Sequence, residues 1–275
     1  MARSLMRLLR PVFIVAVLLW TCFPVWWMAI TSIKTGPELY TSPNPLWPQH
    51  PTLDNFRALI AGRGYLGWLG NSLMVSAVSS LIAMCISLFG GYAIARIPSV
   101  HSRLFGWSSI IGYSLAPVLL FVPMFLVATT VGSYDRLWFL CLVYPTFLIP
   151  FASWLLAGYL RSLPRSLEDA ARVDGCGRFR TLVFVLTPSI RHGAAATLAF
   201  CFLLCWGEYI YAFGLISSGN HRTVPVGLAL LESGDVYVWG EIMAGALLAS
   251  VPAIALLGML RHTVARGISL GGSTH

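Results

Sequence analysis

The chain has 275 residues, of which 57% are hydrophobic and only 10% charged, and its mean hydropathy is +0.76. Soluble domains carry about 25% charged residues, so this composition excludes one and defines an integral membrane protein. The formal charge of +8 comes with no basic stripe of interleaved aromatics in a soluble segment, which excludes a nucleic-acid footprint.

Apolar windows of about 20 residues, enough to span about 30 Å of hydrocarbon at 1.5 Å per residue, predict six transmembrane helices. They lie near 11–33, 68–95, 104–131, 137–160, 192–217 and 241–260. A β-barrel would instead need alternating segments of about 10 residues, and these runs are continuous. Arg3, Arg7 and Arg10 precede the first run as they would in a secretion signal. That run exceeds the roughly 7–15 apolar residues of a signal, and no small-residue cleavage site follows Trp26, Trp27 and Met28, so it reads as an uncleaved anchor.

After the first span, residues 34–67 carry Pro37, Pro43, Pro45, Pro48 and Pro51, which predicts an irregular loop with at most short helices. A second loop on that side covers about 218–240, while 96–103 is a tight connection and 161–191 a long one on the other side. Thirteen of the eighteen Lys and Arg residues fall on the second side: Arg3, Arg7, Arg10, Arg96, Arg103, Arg161, Arg165, Arg172, Arg178, Arg180, Arg191, Arg261 and Arg266. The positive-inside rule makes that side cytoplasmic and places both termini there.

The 161–191 segment holds six arginines, two prolines and Asp174-Gly175 between long apolar runs. Ser166, followed by Leu167, Glu168 and Asp169, reads as a capping box with Asp at the third helical position. Glu168 and Asp169 in the first turn and Arg172 in the last suit the helix dipole, and Asp174-Gly175 supplies a stop. A helix of about two turns is marginal alone in water. Its ridge of Leu167, Ala170, Ala171 and Val173 therefore predicts either docking in a partner's groove or an amphipathic helix lying on the membrane.

A phosphate-cradling loop needs Gly-Lys-Ser/Thr, and the one lysine, Lys34, follows Ile33, so any ATPase belongs to another chain. Cys22, Cys85, Cys141, Cys176, Cys201 and Cys205 sit in or beside spans with no Cys-x-x-Cys pair, which predicts packing roles. Cys201 and Cys205 share a helix face but lack further ligands nearby, so no metal site is expected. His50, His101, His192, His221, His262 and His275 are scattered over loops and ends, as an embedded enzyme's would not be.

Charges within spans are costly and usually functional. Glu208 lies about 16 residues into the fifth span, roughly 24 Å from its start, with Trp206, Tyr209 and Tyr211 around it. The group suits a sugar held by stacking and hydrogen bonding, or an interfacial aromatic belt with a carboxylate reaching headgroups. Asn71 and Ser72 open the second span and read as interhelical hydrogen-bonding groups, Asn71 also as a solute-path candidate. Glu241 beside Trp239 reads as interfacial.

The run Pro164-Arg165-Ser166-Leu167-Glu168-Asp169-Ala170-Ala171-Arg172-Val173-Asp174-Gly175, with Leu186-Thr187-Pro188 after it, resembles the "EAA" loop of binding-protein-dependent ABC importer permeases. The likeness is to the second permease subunit of maltose-like and glycerol-phosphate-like systems. Matches recur in the family's order along the chain: Ser32-Ile33-Lys34, Thr52-Leu53-Asp54-Asn55-Phe56, Asn71-Ser72, Gly91-Tyr92-Ala93-Ile94-Ala95-Arg96, Trp206-Gly207-Glu208-Tyr209, Pro225-Val226-Gly227-Leu228, Trp239-Gly240, Arg266-Gly267 and Gly271-Gly272. Asp169 stands where the family has glutamate, Cys176 where it has alanine, His192 where a second proline is common, and Gly207 where asparagine is usual.

The resemblance implies an all-α fold of six transmembrane helices forming a single type I ABC transporter transmembrane domain over 1–275, in the cytoplasmic membrane of a prokaryote. It implies a coupling helix between the fourth and fifth spans that docks on an ATPase through Leu167, Glu168, Asp169, Ala170, Ala171, Asp174 and Gly175. The expected partners are a second permease, as heterodimer or homodimer, two ATPases binding ATP and Mg, membrane lipid, and an extracytoplasmic binding protein seated on 34–67 and 218–240. The cargo would be a sugar or polyol, with Trp206, Glu208, Tyr209 and Asn71 along its path, and this chain itself would need no cofactor. A stand-alone ion-coupled carrier or channel is the rival reading.

Overall fold

The apolar runs fold into helices throughout the computed structural model, which describes residues 2–41, 43–232 and 238–271. In chain order these are α1 (Ala2–Ser32), α2 (Tyr65–Arg96), α3 (Val100–Leu119), α4 (Phe121–Thr130), α5 (Leu137–Ser162), α6 (Ser166–Val173), α7 (Arg178–Ser189), α8 (Arg191–Trp206), α9 (Ile210–Leu215), α10 (Val224–Leu230) and α11 (Trp239–Gly271). No strand occurs among the described residues. Four stretches there are long and apolar enough to cross a membrane: α1 from Pro11, α2, α5, and α11 to Met259. Because lipid offers backbone groups no partners, helices are the expected answer to such a sequence. Trp20 on α1 is 82% exposed, as a side chain facing acyl chains would be.

Two predicted spans are interrupted. The third, 104–131, consists of α3 and α4 with a break at Leu120. The fifth, expected as one helix over 192–217, is corrected: α8 stops at Trp206, residues 207–209 are non-helical, and α9 starts at Ile210. Before it, α7 and α8 meet at a bend of 87°. Pro188 lies two residues ahead of that bend, where it lacks an N–H and crowds the carbonyl four residues back.

The described residues gather into two units. In the first, residues up to Leu66 with Gly227–Val251, the proline-rich segment is ordered by buried polar groups. Lys34 is fully buried; its Nζ donates to Asn44 Oδ1 at 2.7 Å and to the Pro45 carbonyl, and lies 5.0 Å from the centre of the Trp27 ring. The Asn55 amide donates to the carbonyls of Ser32 (2.9 Å) and Lys34 (2.8 Å). Arg63 pairs with Glu241 at 2.9 Å, so Glu241, expected at the interface, has a protein partner. Only short helical pieces, Gly36–Leu39 and Asp54–Arg57 among them, interrupt the loop, as the prolines predict.

The second unit takes Gly67–Val226 and Pro252 onward. Its α2 and α5 approach closely because the facing groups are small: a Cβ on Gly91 would stand 2.9 Å from Leu156 Cβ and 3.1 Å from the Ser153 carbonyl. Ser87 Oγ donates to the Ile149 carbonyl at 3.1 Å along the same contact. Small residues at crossings are how helices pack in lipid, where burial of apolar surface drives little association. Toward the arginine-bearing end, Leu156, Leu160, Leu182, Leu186, Ile190 and Ala194 form one buried cluster joining α5, α7 and α8. That cluster is the platform for the segment with the "EAA"-like motif.

Candidate functional site

The predicted short helix exists as α6 and ends as expected. Gly175 has φ +78°, the Cys176 N–H donates to the Ala171 carbonyl at 2.9 Å, and the Gly175 N–H donates to the Arg172 carbonyl at 3.1 Å. This is the paired-bond stop that a left-handed glycine allows. The start differs from the expected capping box. Ser166 is already helical, its hydroxyl caps nothing, and the N–H groups of Leu167 and Glu168 donate to the carbonyls of Pro164 and Arg165. Pro164 is the reason, because its fixed φ sets the turn one step earlier and backbone carbonyls supply the acceptors.

The two faces of α6 carry different groups. Asp169, Ala170, Arg172 and Val173 are exposed, Val173 by 88%, whereas Ala171 is buried and Leu167 and Glu168 are half-buried. The expected ridge of Leu167, Ala170, Ala171 and Val173 is therefore split, with Ala171 and Leu167 turned to the chain's own platform. At 3.6 residues per turn, positions 167 and 171 share a side that 169, 170 and 173 do not. Packing of α6 on the 181–186 stretch also means that its support is partly internal.

Glu168 is turned toward the end of α2. Its Oε1 is 2.6 Å from Arg96 Nε, with side-chain exposures of 12% and 7%, and the Tyr92 hydroxyl reaches Oε2 at 3.5 Å. Arg96 Nη2 donates to the Leu163 carbonyl at 2.8 Å, which satisfies an orphan acceptor at the end of α5. One guanidinium thus ties together the end of α2, the end of α5 and the first turn of α6. By contrast the exposed pair Asp169–Arg172, 3.2 Å apart, contributes little, because solvent screens it.

The four solute-path candidates do not form one cup. Glu208 is half-buried at the break between α8 and α9, and its carboxylate accepts from the Tyr144 hydroxyl (2.7 Å) and from the N–H groups of Tyr211 (2.8 Å) and Ala212 (3.2 Å). It caps α9 and pins it to α5, where the sequence suggested a sugar ligand or a headgroup-reaching belt residue. Trp206 is buried against Phe202, with ring centres 5.7 Å apart, and Tyr209 is exposed with Phe213 stacked on it at 5.2 Å. The Asn71 amide donates to the carbonyls of Asn220 (2.8 Å) and Arg222 (2.9 Å), and Ser72 Oγ accepts from the Val224 N–H at 2.8 Å, so both hold the 219–224 stretch.

Arg96 and Tyr144 are the partners of Glu168 and Glu208 that the sequence does not point to. Arg96 was visible as the end of Gly91-Tyr92-Ala93-Ile94-Ala95-Arg96, but nothing in its spacing points to residue 168. Tyr144 sits in a plain apolar run and carries no local signal. No cluster of three or more His, Cys, Asp or Glu residues fit for a metal occurs among the described residues.

Two acids organise loops between helices. Asp135, at φ +62°, accepts from the N–H groups of Ser217 and Ser218 (both 2.9 Å) and the Ser218 hydroxyl (3.0 Å), with His221 Nδ1 3.6 Å away. Burial pushes its carboxyl up, but the Ser218 and Ser217 donors and His221 outweigh burial and hold it below its ordinary 3.8. Glu38 follows the same logic: burial pushes it up, while N–H donors from His50, Thr35 and Gln49 hold it below 4.5. A lowered folded value stabilises above the unfolded value and loses that contribution as pH falls through the folded one. Amide exchange, corrected for intrinsic rates, should show residues 49, 50, 217 and 218 protected above pH 4.5 and progressively opened below 3.8. Opening already at neutral pH would contradict this account.

The fold and the motif-bearing turn define a class: a polytopic membrane permease with a short helix presented beyond its spans. Residues 86–269 match the family of binding-protein-dependent transport system inner membrane components, and the chain belongs to that family. It is 30% identical over 254 residues to the inner membrane ABC transporter permease protein YcjP of Escherichia coli (strain K12), covering 92% of this chain and 91% of that one. It is 32% identical over 251 residues to the sulfoquinovosyl glycerol transport system permease protein SmoH of Agrobacterium fabrum, covering 91% and 88%. A crystal structure of a bacterial ABC transporter involved in import of the acidic polysaccharide alginate contains a chain with the same fold, at TM-score 0.80 and 17% identity, over 95% of this chain and 97% of that one.

Proposed function

We propose that this chain is one of two permease subunits of an ATP-driven importer for a carbohydrate or related polyol, moved across the cytoplasmic membrane by alternating access. Two separate ATPases hold ATP and Mg, the second permease is a different chain, and an extracytoplasmic binding protein delivers the solute to the 34–67 and 218–240 loops. Residues 233–237 of the second loop lie outside the described residues. The sugar class rests on the relatives: SmoH is a permease of a sulfoquinovosyl glycerol transport system, and the structurally similar transporter is involved in the import of alginate. Residues 1–275 act as a single domain with six spans, α3–α4 and α8–α9 contributing the third and fifth, and the arginine distribution favours both termini in the cytoplasm.

The observation that carries the mechanism is the tethering of α6. Its exposed side, with Asp169, Ala170, Val173, Asp174 and Gly175, is the proposed seat in an ATPase groove, where small side chains allow close approach. Glu168, Leu167 and Ala171 fasten the other side to α2, α5 and the 181–186 stretch. ATPase closure pulling on α6 would then move whole spans through the Arg96 joint. Among the solute-path candidates, Tyr209 is the proposed solute-facing group, and Glu208, Trp206 and Asn71 hold the frame.

The test is co-purification in gentle detergent, wild type against Gly175→Asp. The wild type should bring down an ATPase and a second permease. Aspartate at this left-handed, exposed position adds a side chain and a charge to the docking surface and should remove the ATPase while the second permease stays. A chain that emerges alone, with ion-gradient-driven uptake intact in the variant, would overturn the reading in favour of a secondary carrier.

A further inference from the structure

A cavity of about 380 Å³ opens between α2, α3 and α5 at the arginine-bearing ends of these helices. Arg96, Arg161 and Arg165 line it together with Trp107 and Trp154. We propose that it binds the phosphate headgroup of an anionic phospholipid in the leaflet next to those arginines. The proposal goes beyond the transport reading and holds whichever solute is carried.

Charge is the first argument. Arg96 is matched by Glu168, whereas Arg161 and Arg165 form no ion pair among the described residues; both are exposed, and Arg161 Nη2 donates to the Ile94 carbonyl at a long 3.4 Å. The N-terminus of α3 does not supply the attraction, because Ser99 and Ser102 cap it reciprocally: the Ser102 N–H reaches Ser99 Oγ at 3.0 Å and the Ser99 N–H reaches Ser102 Oγ at 3.4 Å. The site is therefore guanidinium-based, with the bidentate geometry that suits phosphate oxygens.

Depth is the second argument and separates a lipid from a soluble anion. Trp154 precedes Arg161 by seven residues, two turns on the same face, which puts the indole about 10 Å further into the membrane than the guanidinium. Trp107 lies a similar distance into α3 from its capped end. The two indoles are 50% and 65% exposed, an arrangement that a soluble phosphate has no use for but that a glycerol backbone and acyl chains would cover. Basic recesses between spans with such a floor are the chemistry by which anionic headgroups are held. None of the exposed α6 residues lines the cavity, so a lipid here and an ATPase on α6 do not compete for surface. They share Arg96, the joint between them.

The experiment is native mass spectrometry of the full chain, with whatever subunits co-purify, titrated with phosphatidylglycerol or phosphatidylcholine. Phosphatidylglycerol should bind more tightly than phosphatidylcholine, with about fivefold weakening in Arg161→Gln and about 25-fold in R161Q/R165Q. Phosphatidylcholine retention and the thermal unfolding midpoint should not change, because both side chains are exposed. Equal binding of the two lipids by the wild type, or undiminished phosphatidylglycerol binding in the double variant, would overturn the site. Displacement of phosphatidylglycerol by millimolar inorganic phosphate would reassign it to a soluble anion and overturn the lipid. Loss of ATPase co-purification in Gly175→Asp bears on α6 alone, so the two ideas fail separately.

Discussion

Arg96→Ala should abolish solute uptake in reconstituted vesicles and loosen the 161–177 segment to protease, with little effect on the rest of the spans. The guanidinium and the Glu168 carboxylate are both nearly dry, and removing one member of such a pair typically costs about 3–5 kcal/mol because the other charge stays buried without a partner. The Leu163 carbonyl also loses its donor. Glu168→Gln keeps the shape and one acceptor, so its loss should be smaller, about 1–2 kcal/mol, in the range of a weakened charged hydrogen bond. The double replacement Arg96→Met with Glu168→Leu is the informative control. It should recover much of the stability, since apolar substitution of a buried pair is often neutral or better, yet it should not restore full uptake if the joint transmits force. Wild-type uptake and protease resistance in Arg96→Ala would remove the joint from the mechanism.

Glu208→Ala should destabilise the chain in detergent by roughly 3–5 kcal/mol, the sum of leaving the Tyr144 hydroxyl and the Tyr211 and Ala212 N–H groups unpaired at about 1–3 kcal/mol each, less what relaxation recovers. Gln at 208 keeps an acceptor oxygen and should lose less. Tyr144→Phe removes one of these contacts and should cost about 1 kcal/mol. The comparison distinguishes a structural cap from a solute ligand: a cap predicts that stability falls with uptake and that Gln rescues both. If Glu208→Ala unfolded like the wild type but lost uptake, the carboxylate would return to the solute path and the capping role would be secondary.

The location of the Arg96 joint and the Glu208 cap explains what was readable. The break after Trp206 has a local signature, Gly207-Glu208, and glycine weakens a helix by about 1 kcal/mol relative to alanine. Yet the apolar run continues through Ile210–Leu215, so hydropathy alone merges two helices into one span. Which donors the carboxylate would find depends on Tyr144, 64 residues earlier. Likewise the two-turn length of α6 and its glycine stop followed from residues 166–175, while its start did not, because Pro164 and Arg165 provided carbonyls that made a serine cap redundant.

Composition and run length by themselves determined that this is a helical membrane protein, because a bilayer leaves a chain so apolar only one backbone solution among its continuous runs. The ordered short motifs determined the family, and Asp174-Gly175 determined where α6 stops, because only glycine adopts that left-handed turn cheaply. Tertiary structure alone decided which face of α6 is free, that Glu168 holds Arg96, and that Glu208 and Asn71 support the frame. Those are contacts of 64 to 151 residues in sequence separation or assignments of one helical face against another. Periodicity reports that a residue is apolar or charged every few positions, but not which distant group of opposite character the folded chain will bring to it.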